Sequence, residues 1–352
     1  MYNILSVDGR GVTQALIATK IIQIIDDKLN KCTGEGVIKH FDHIASSSTA
    51  AFPVALIAHT CTPKNAYKIV KDSFHAIFKP VDTSCDSYWC QFIDYIEYIY
   101  TNSDKTKLYT LDDLNDLLKN FRNAHLGESK IPLLLLSAKN SQKLETCYFS
   151  SKYDKDALLS DAIKSCIADK LHFPPYSLEG QGYFDHSFIS KSSLGSTLSY
   201  ITKDLNLTDS SLLVVNIGFD NLNITDYLQT ETTQNKVSSS DHLEINLSSS
   251  EDVNINAGRF LKGNFWNIVV TQEQGILEEV HKFDKILDDD KIENIIKESK
   301  ICNNIADECI SFEKGIDKLI NDGLINNSSL ADELAALTNE SAALTNESDT
   351  CI

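Results

Sequence analysis

The feature that most constrains this chain is a unit that occurs twice near its start: a short apolar run, a turn of small residues, then a helix. Tyr2 to Val7 is the first apolar run, and it meets Asp8-Gly9-Arg10-Gly11. From Val12 to about Leu29, Leu16, Ile17, Ile21, Ile24 and Ile25 recur at helical spacing and give one apolar face. Gly34 and Gly36 end that pattern. Phe41-Asp42-His43-Ile44-Ala45 is a second run, entering Ser46-Ser47-Ser48-Thr49-Ala50-Ala51 and then an apolar helix to about His59. Strand, glycine turn, helix, strand, small-residue turn, helix is the rhythm of an α/β fold with a mostly parallel central sheet.

The later chain adds to this frame. Residues 64–122 read as helical and aromatic-rich, with Trp89, Tyr95, Tyr98 and Tyr100 among them and a helix cap at Thr110. Ile131 to Leu136 is the strongest strand, with Cys147-Tyr148-Phe149 as its hairpin partner. A helix is predicted from Ser160 to about Lys170. Pro174-Pro175 then breaks the chain into an extended segment that leads to Tyr183-Phe184-Asp185. A helix from Leu194 to about Leu205 precedes a strand, Leu212 to Ile217, closed by Gly218. These elements place one α/β domain over residues 1–220. A polar loop and a mainly helical extension follow over 221–330. The tail, 331–352, carries the tandem repeat Ala335 to Ser341 and Ala342 to Ser348, too short for a coiled coil and expected to be disordered.

Charge excludes several function classes. The chain has 352 residues, with 32 Lys and Arg against 50 Asp and Glu, a net charge of −18. Nucleic-acid binding needs the opposite sign, and so does loose docking on an anionic membrane. Among the nine cysteines no C-x-x-C pair occurs, and neither a phosphate-binding G-x-x-x-x-G-K-[ST] loop nor an EF-hand loop is present. No cofactor and no metal are therefore expected. Met1-Tyr2-Asn3 runs straight into the first strand without a basic leader, and the apolar stretch from Ala50 to Ala58 is too short to span a bilayer. The expectation is a soluble cytoplasmic protein.

Three segments carry chemistry. In Asp8-Gly9-Arg10-Gly11, glycines permit close backbone approach, so main-chain N–H groups before a helix can face an anion, as an oxyanion hole requires. In Ser46-Ser47-Ser48-Thr49-Ala50, a serine sits between a strand and a helix with small residues two places to either side, as a tight nucleophile elbow demands. In Tyr183-Phe184-Asp185-His186, a carboxylate at a strand end can serve as a general base. Taken singly, the three read more plainly as a turn, a helix cap and a turn-initiating Asp.

Their order along the chain is more specific. Ile4-Leu5-Ser6-Val7-Asp8-Gly9-Arg10-Gly11 resembles the opening of the patatin-like phospholipase family, where a strand leads into D-G-G-G-x-R-G. The segment from Phe41 to Ala51 resembles that family's strand and G-T-S-T-G-G elbow. Asp161 to Ala168 with Phe173-Pro174-Pro175 resembles the helix and proline pair before its aspartate. Tyr183-Phe184-Asp185 stands where the family has D-G-G or D-G-A, and Leu212 to Gly218 resembles its later strand. The resemblance covers about residues 1–220. The sequence departs from the pattern at Arg10, in place of the middle glycine, at Ser46 and Ala50, in place of both elbow glycines, and at His186, in place of the glycine after the aspartate.

The resemblance implies a three-layer fold and a serine–aspartate dyad without histidine. Ser48 would be the nucleophile and Asp185 the general base and acid. Backbone N–H groups of Gly9, Arg10 and Gly11 would form the oxyanion hole. The implied partners are a phospholipid or other membrane-lipid ester, transient contact with a membrane surface, and a protein activator. Some bacterial members are delivered into host cells, and that route comes with the resemblance. Two other readings stay open. The chain could be an inactive module of the same fold that binds lipid or a protein. It could also be an esterase with a triad histidine, for which His242 or His281 fit the chain order; His43 and His186 lie near the motifs and could approach the site, though non-catalytic roles are the plainer reading for them.

Overall fold

The computed structural model describes residues 1–9, 11–59, 62–77, 111–141, 143–168, 176–190, 192–206, 211–219, 257, 261, 264–270, 289–302 and 310–324. The helix cap at Thr110, the Pro174-Pro175 pair, the polar stretch 221–256, His242, His281 and the repeat-bearing tail lie outside them.

The two opening units fold as the pattern predicts. Strand β1 (Tyr2–Val7) feeds helix α1 (Gly11–Thr33), which runs one turn further than its apolar spacing suggested. A single turn, α2 (Val37–His40), leads to β2 (His43–Ser47), and a 3-10 turn at Ser48–Ala50 opens α3 (Ala51–His59). Helices α4 (Pro63–Ile77) and α5 (Leu111–Leu117) follow, then the hairpin β3 (Leu133–Asn140) and β4 (Leu144–Ser150). Helix α6 (Leu159–Ile167), strands β5 (Tyr176–Leu178) and β6 (Gln181–Asp185), helix α7 (Leu194–Leu205) and β7 (Leu212–Phe219) complete the first part.

The described strands join one sheet in the order β10-β9-β8-β7-β1-β2-β3-β6-β5, where β8 is Phe265–Val270, β9 Lys300–Cys302 and β10 Ile310–Ser311, and β4 also pairs with β3. The centre, β8-β7-β1-β2-β3, is parallel, and the flanking pairs are antiparallel. The central strands are buried along nearly their whole length, as parallel strands covered on both faces must be. One face carries the larger core. There Leu5, Val7, Ile44, Leu133, Leu135, Val215 and Ile268 meet the apolar sides of α1, α3 and α6. On the other face Ile4, Leu212 and Val214 pack beneath Leu194, Leu198 and Ile201 of α7. The fold is thus α/β, with a central sheet between helical layers.

The region beyond 260 departs from its sequence reading. It holds the expected helices, α8 (Asp289–Glu298) and α9 (Phe312–Leu319), but also strands β8 (Phe265–Val270), β9 (Lys300–Cys302) and β10 (Ile310–Ser311) of the same sheet. Ile292, Ile296, Ile316 and Leu319 enter the main core.

The topology creates one special place. From β1 the chain moves outward through β2 and β3, then returns to lay β7 on the opposite side of β1. At such a reversal the connections leave the carboxyl ends of neighbouring strands in opposite directions, and a crevice opens there. The turn after Val7 and the turn after Ser47 both lie at those carboxyl ends.

Candidate active site

Strand β3 brings together two residues far apart in the chain. Its one edge is taken along Leu134–Asn140 by β4. The other edge is shared: β2 pairs with Leu133–Leu136 in parallel, and β6 pairs with Ser137–Asn140 in antiparallel. Ser47 stands opposite Leu136 and Asp185 opposite Ser137, so β2 and β6 meet end to end at consecutive registers. The residue after Ser47 therefore emerges against Asp185. Ser48 Oγ donates to Asp185 Oδ2 at 2.5 Å, with Ser48 3% and Asp185 2% exposed.

Backbone geometry supports that approach. Ser48 has φ of +57°, the left-handed region that costs a residue with a Cβ about 1–2 kcal/mol. Stored strain of this kind at a strand-to-helix turn projects the side chain out of the turn, as a nucleophile elbow does. Ser46 lies in the extended strand, and its hydroxyl donates to Val7 O at 3.0 Å. A Cβ is tolerated there, so this departure from glycine carries no strain.

Ala50, the other departure, is accommodated from across the site. Ala50 N donates to Gly9 O at 3.2 Å. A Cβ on Gly9 would lie only 2.8 Å from the Cβ of Ala50, so the close approach that the elbow needs is provided by the glycine of the facing turn. Gly11 closes that turn with φ of +67° as the first residue of α1. Gly9 thus lies against the elbow, and Gly11 begins α1 two residues later; Arg10 lies outside the described residues.

Asp185 is held firmly. Its N–H donates to Ala168 O at 2.9 Å, beyond the end of α6, and its Oδ1 accepts from Ser187 N at 2.7 Å. Ser137, its register partner, has its hydroxyl 2.7 Å from Ser165 O and 2.8 Å from Phe184 O, joining α6 to β6. Burial, and secondarily the charge of Asp185, push the Cys166 thiol well above its ordinary value, so Cys166 stays protonated beside the carboxylate. With Oδ1 held by the Ser187 amide, Oδ2 is the atom that faces the serine proton.

The histidines near the motifs have partners of their own. His43 is at the opposite end of β2 from Ser48, its Nδ1 3.3 Å from Tyr2 Oη. Burial, chiefly, pushes its pKa down to about 4. His186 is buried, with Nε2 3.2 Å from Ser196 Oγ of α7.

Sequence reasoning missed a second carboxylate arrangement. Asp8 accepts from Ser192 Oγ at 2.9 Å, Ser193 N at 2.8 Å and Ser193 Oγ at 2.5 Å. The signal was present as two serines immediately before Leu194, a helix N-terminus pattern whose partner lies far away in the sequence. Among the described residues no group of three or more His, Cys, Asp or Glu side chains is placed to hold a metal ion, and no helix is long and apolar enough to cross a membrane.

No family profile matches this chain, and no curated protein does. Similar solved structures include VipD from Legionella pneumophila, 10% identical, covering 99% of this chain and 77% of VipD at a TM-score of 0.40. The type III effector protein ExoU is 10% identical, with 99% of this chain and 66% of ExoU covered at a TM-score of 0.31. ExoU in its complex with SpcU, from the type III secretion system of Pseudomonas aeruginosa, is likewise 10% identical, with 98% and 63% covered and a TM-score of 0.34. The chain thus spans less than two thirds of the ExoU molecule in that complex. These similarities are faint.

Proposed function

We propose that the chain is a serine acyl hydrolase of the patatin-like kind, acting on acyl esters of membrane lipids through Ser48 and Asp185. The observation that carries this reading is the buried 2.5 Å hydrogen bond from Ser48 Oγ to Asp185 Oδ2, made by a serine in left-handed backbone geometry. A structural serine needs neither the strain nor the buried carboxylate. A nucleophile needs both, one for projection and one to receive its proton.

In this mechanism Ser48 Oγ attacks the ester carbonyl as Asp185 takes its proton. Main-chain N–H groups of the turn from Gly9 to Gly11 hold the oxyanion of the tetrahedral intermediate. Asp185 then gives the proton to the departing alcohol, leaving an acyl group on Ser48. Water, deprotonated by Asp185, attacks the acyl-enzyme and releases the fatty acid, and the proton returns to Ser48. A protein activator and delivery into a host cell belong to the same proposal and rest on the family resemblance alone.

Labelling with a fluorophosphonate probe tests it. The expected result is labelling of wild type, none of Ser48→Ala, and labelling of Asp185→Asn slowed by roughly a hundredfold or more, the size of effect a general base supplies. Folded wild type that stays unlabelled, beside an active serine esterase that reacts, would sink the hydrolase reading in favour of a binding module.

A further inference from the structure

The geometry points to Asp8 as a positioning residue: its carboxylate locks the oxyanion turn to the segment that carries Asp185. This inference rests on the hydrolase reading above and adds to it the part that sets the oxyanion donors against the nucleophile.

Three segments meet at the site, and each pair is tied. The elbow is joined to the Asp185 segment by the bond from Ser48 to Asp185. It is joined to the first turn by the bond from Ala50 N to Gly9 O. The remaining side of the triangle is Asp8, whose two oxygens take three donors from Ser192 and Ser193, a few residues beyond Asp185. Hydrogen bonds to an ionised carboxylate are roughly twice as strong as neutral ones. The main chain of Asp8 is anchored as well, its N–H donating to Ile217 O of β7 at 2.9 Å. Gly9 follows directly, so any drift of Asp8 moves the first residue of the turn.

The consequence is specific to catalysis. An oxyanion donor stabilises only charge that develops where it points, and a misplacement of about 1 Å costs on the order of a hundredfold in rate. Ground-state binding of an ester does not depend on that alignment. Loss of the lock is therefore expected in kcat, with KM nearly unchanged.

The test compares wild type with Asp8→Asn on p-nitrophenyl butyrate and on the same ester with sulfur in place of the carbonyl oxygen. A well-aimed oxyanion hole favours oxygen over sulfur, because sulfur accepts hydrogen bonds poorly and sits further from carbon. Asp8→Asn is expected to lower kcat on the oxygen ester roughly tenfold to a hundredfold. KM is expected to stay within about twofold, and the oxygen-to-sulfur rate ratio to move towards one. Ser192→Ala/Ser193→Ala, which removes two donors and leaves the carboxylate, is expected to shift the ratio the same way, and combining it with Asp8→Asn to add little. If Asp8→Asn does not fold, the double serine variant carries the test. Folded variants with an unchanged ratio, whether or not kcat falls, would overturn the positioning role while leaving the hydrolase reading intact. A wild type that hydrolyses neither ester overturns the hydrolase reading, and this role with it.

Discussion

A Cβ built on Gly9 would stand 2.8 Å from the Cβ of Ala50 and 3.3 Å from the backbone of Ala15. The turn after β1 and the turn that carries Ser48 are in direct contact, and there is room for one methyl group between them. Gly9→Ala is expected to destabilise the fold by about 1–3 kcal/mol, since neither neighbour can retreat without moving the sheet or α1. Ala50→Gly removes the methyl at a helix start and should cost about 1 kcal/mol or less. If the contact is the cause, Gly9→Ala/Ala50→Gly recovers much of the loss. Urea midpoints of the four proteins measure the coupling, and strict additivity would disprove it.

The left-handed conformation of Ser48 gives a second expectation. Ser48→Ala and Ser48→Gly both remove the hydroxyl bonded to Asp185, so that loss cancels between them. Alanine keeps a Cβ at φ of +57°, whereas glycine has none. Ser48→Gly should therefore be the more stable of the two by about 1 kcal/mol, although glycine loses more chain entropy on folding. Equal midpoints would mean that the elbow relaxes in the variants and that the strain is not fixed by its surroundings.

The sheet's first half was legible in the sequence because each element announces itself locally. Tyr2–Val7, the glycine turn and the apolar stripe of α1 are adjacent in the chain, and so are β2 and its serine run. The pairing of Ser48 with Asp185 was readable only from the order of motifs, since what joins them is the register of β3. The hydrogen bonds from Ser192 and Ser193 to Asp8 were not readable, because nothing in either segment names the other. Strand β8 was missed for a different reason. Phe265 to Val270 is a short apolar run set in a stretch rich in Lys, Asp and Glu with helical spacing, and a run of that length does not distinguish strand from buried helix. The Ala50 departure hid a compensation across space: the glycine that the elbow lacks is on the turn that faces it.

Helix α9 offers a test of how firmly the C-terminal part belongs to the sheet. On an exposed helix Gly315→Ala would stabilise by about 1 kcal/mol. Here the added Cβ would lie 2.6 Å from the Cβ of Ile301 on β9. That clash outweighs the gain in propensity, so the expected sign is a loss of about 1–3 kcal/mol. Thermal unfolding reads it, and a rise in Tm would show that α9 is not packed on β9 in solution.

His43 should make the fold acid-sensitive above the range where most carboxylates titrate. It is 5% exposed, and among the described residues Tyr2, Asp204 and Lys152 are ionisable groups that act on it. Burial is the main cause of its lowered pKa, with the Asp204 charge opposing and the Lys152 charge assisting. Its folded value of about 4 lies below the 6.5 of a free imidazole. Between those values the unfolded chain binds a proton that the folded chain refuses, so stability rises with pH across the window. The contribution is complete above pH 6.5 and is lost as pH falls towards 4. The change is on the order of 2–3 kcal/mol, since each tenfold difference in proton affinity between the folded and unfolded chains is worth about 1.4 kcal/mol. His43→Gln keeps a polar side chain but cannot titrate. Urea unfolding of both proteins from pH 7.5 down to 4, roughly the window in question, isolates the effect from that of the carboxylates they share. The stability of wild type relative to His43→Gln should fall steadily with acidification. A difference that stays flat across the window would mean that His43 takes up its proton without leaving the folded state.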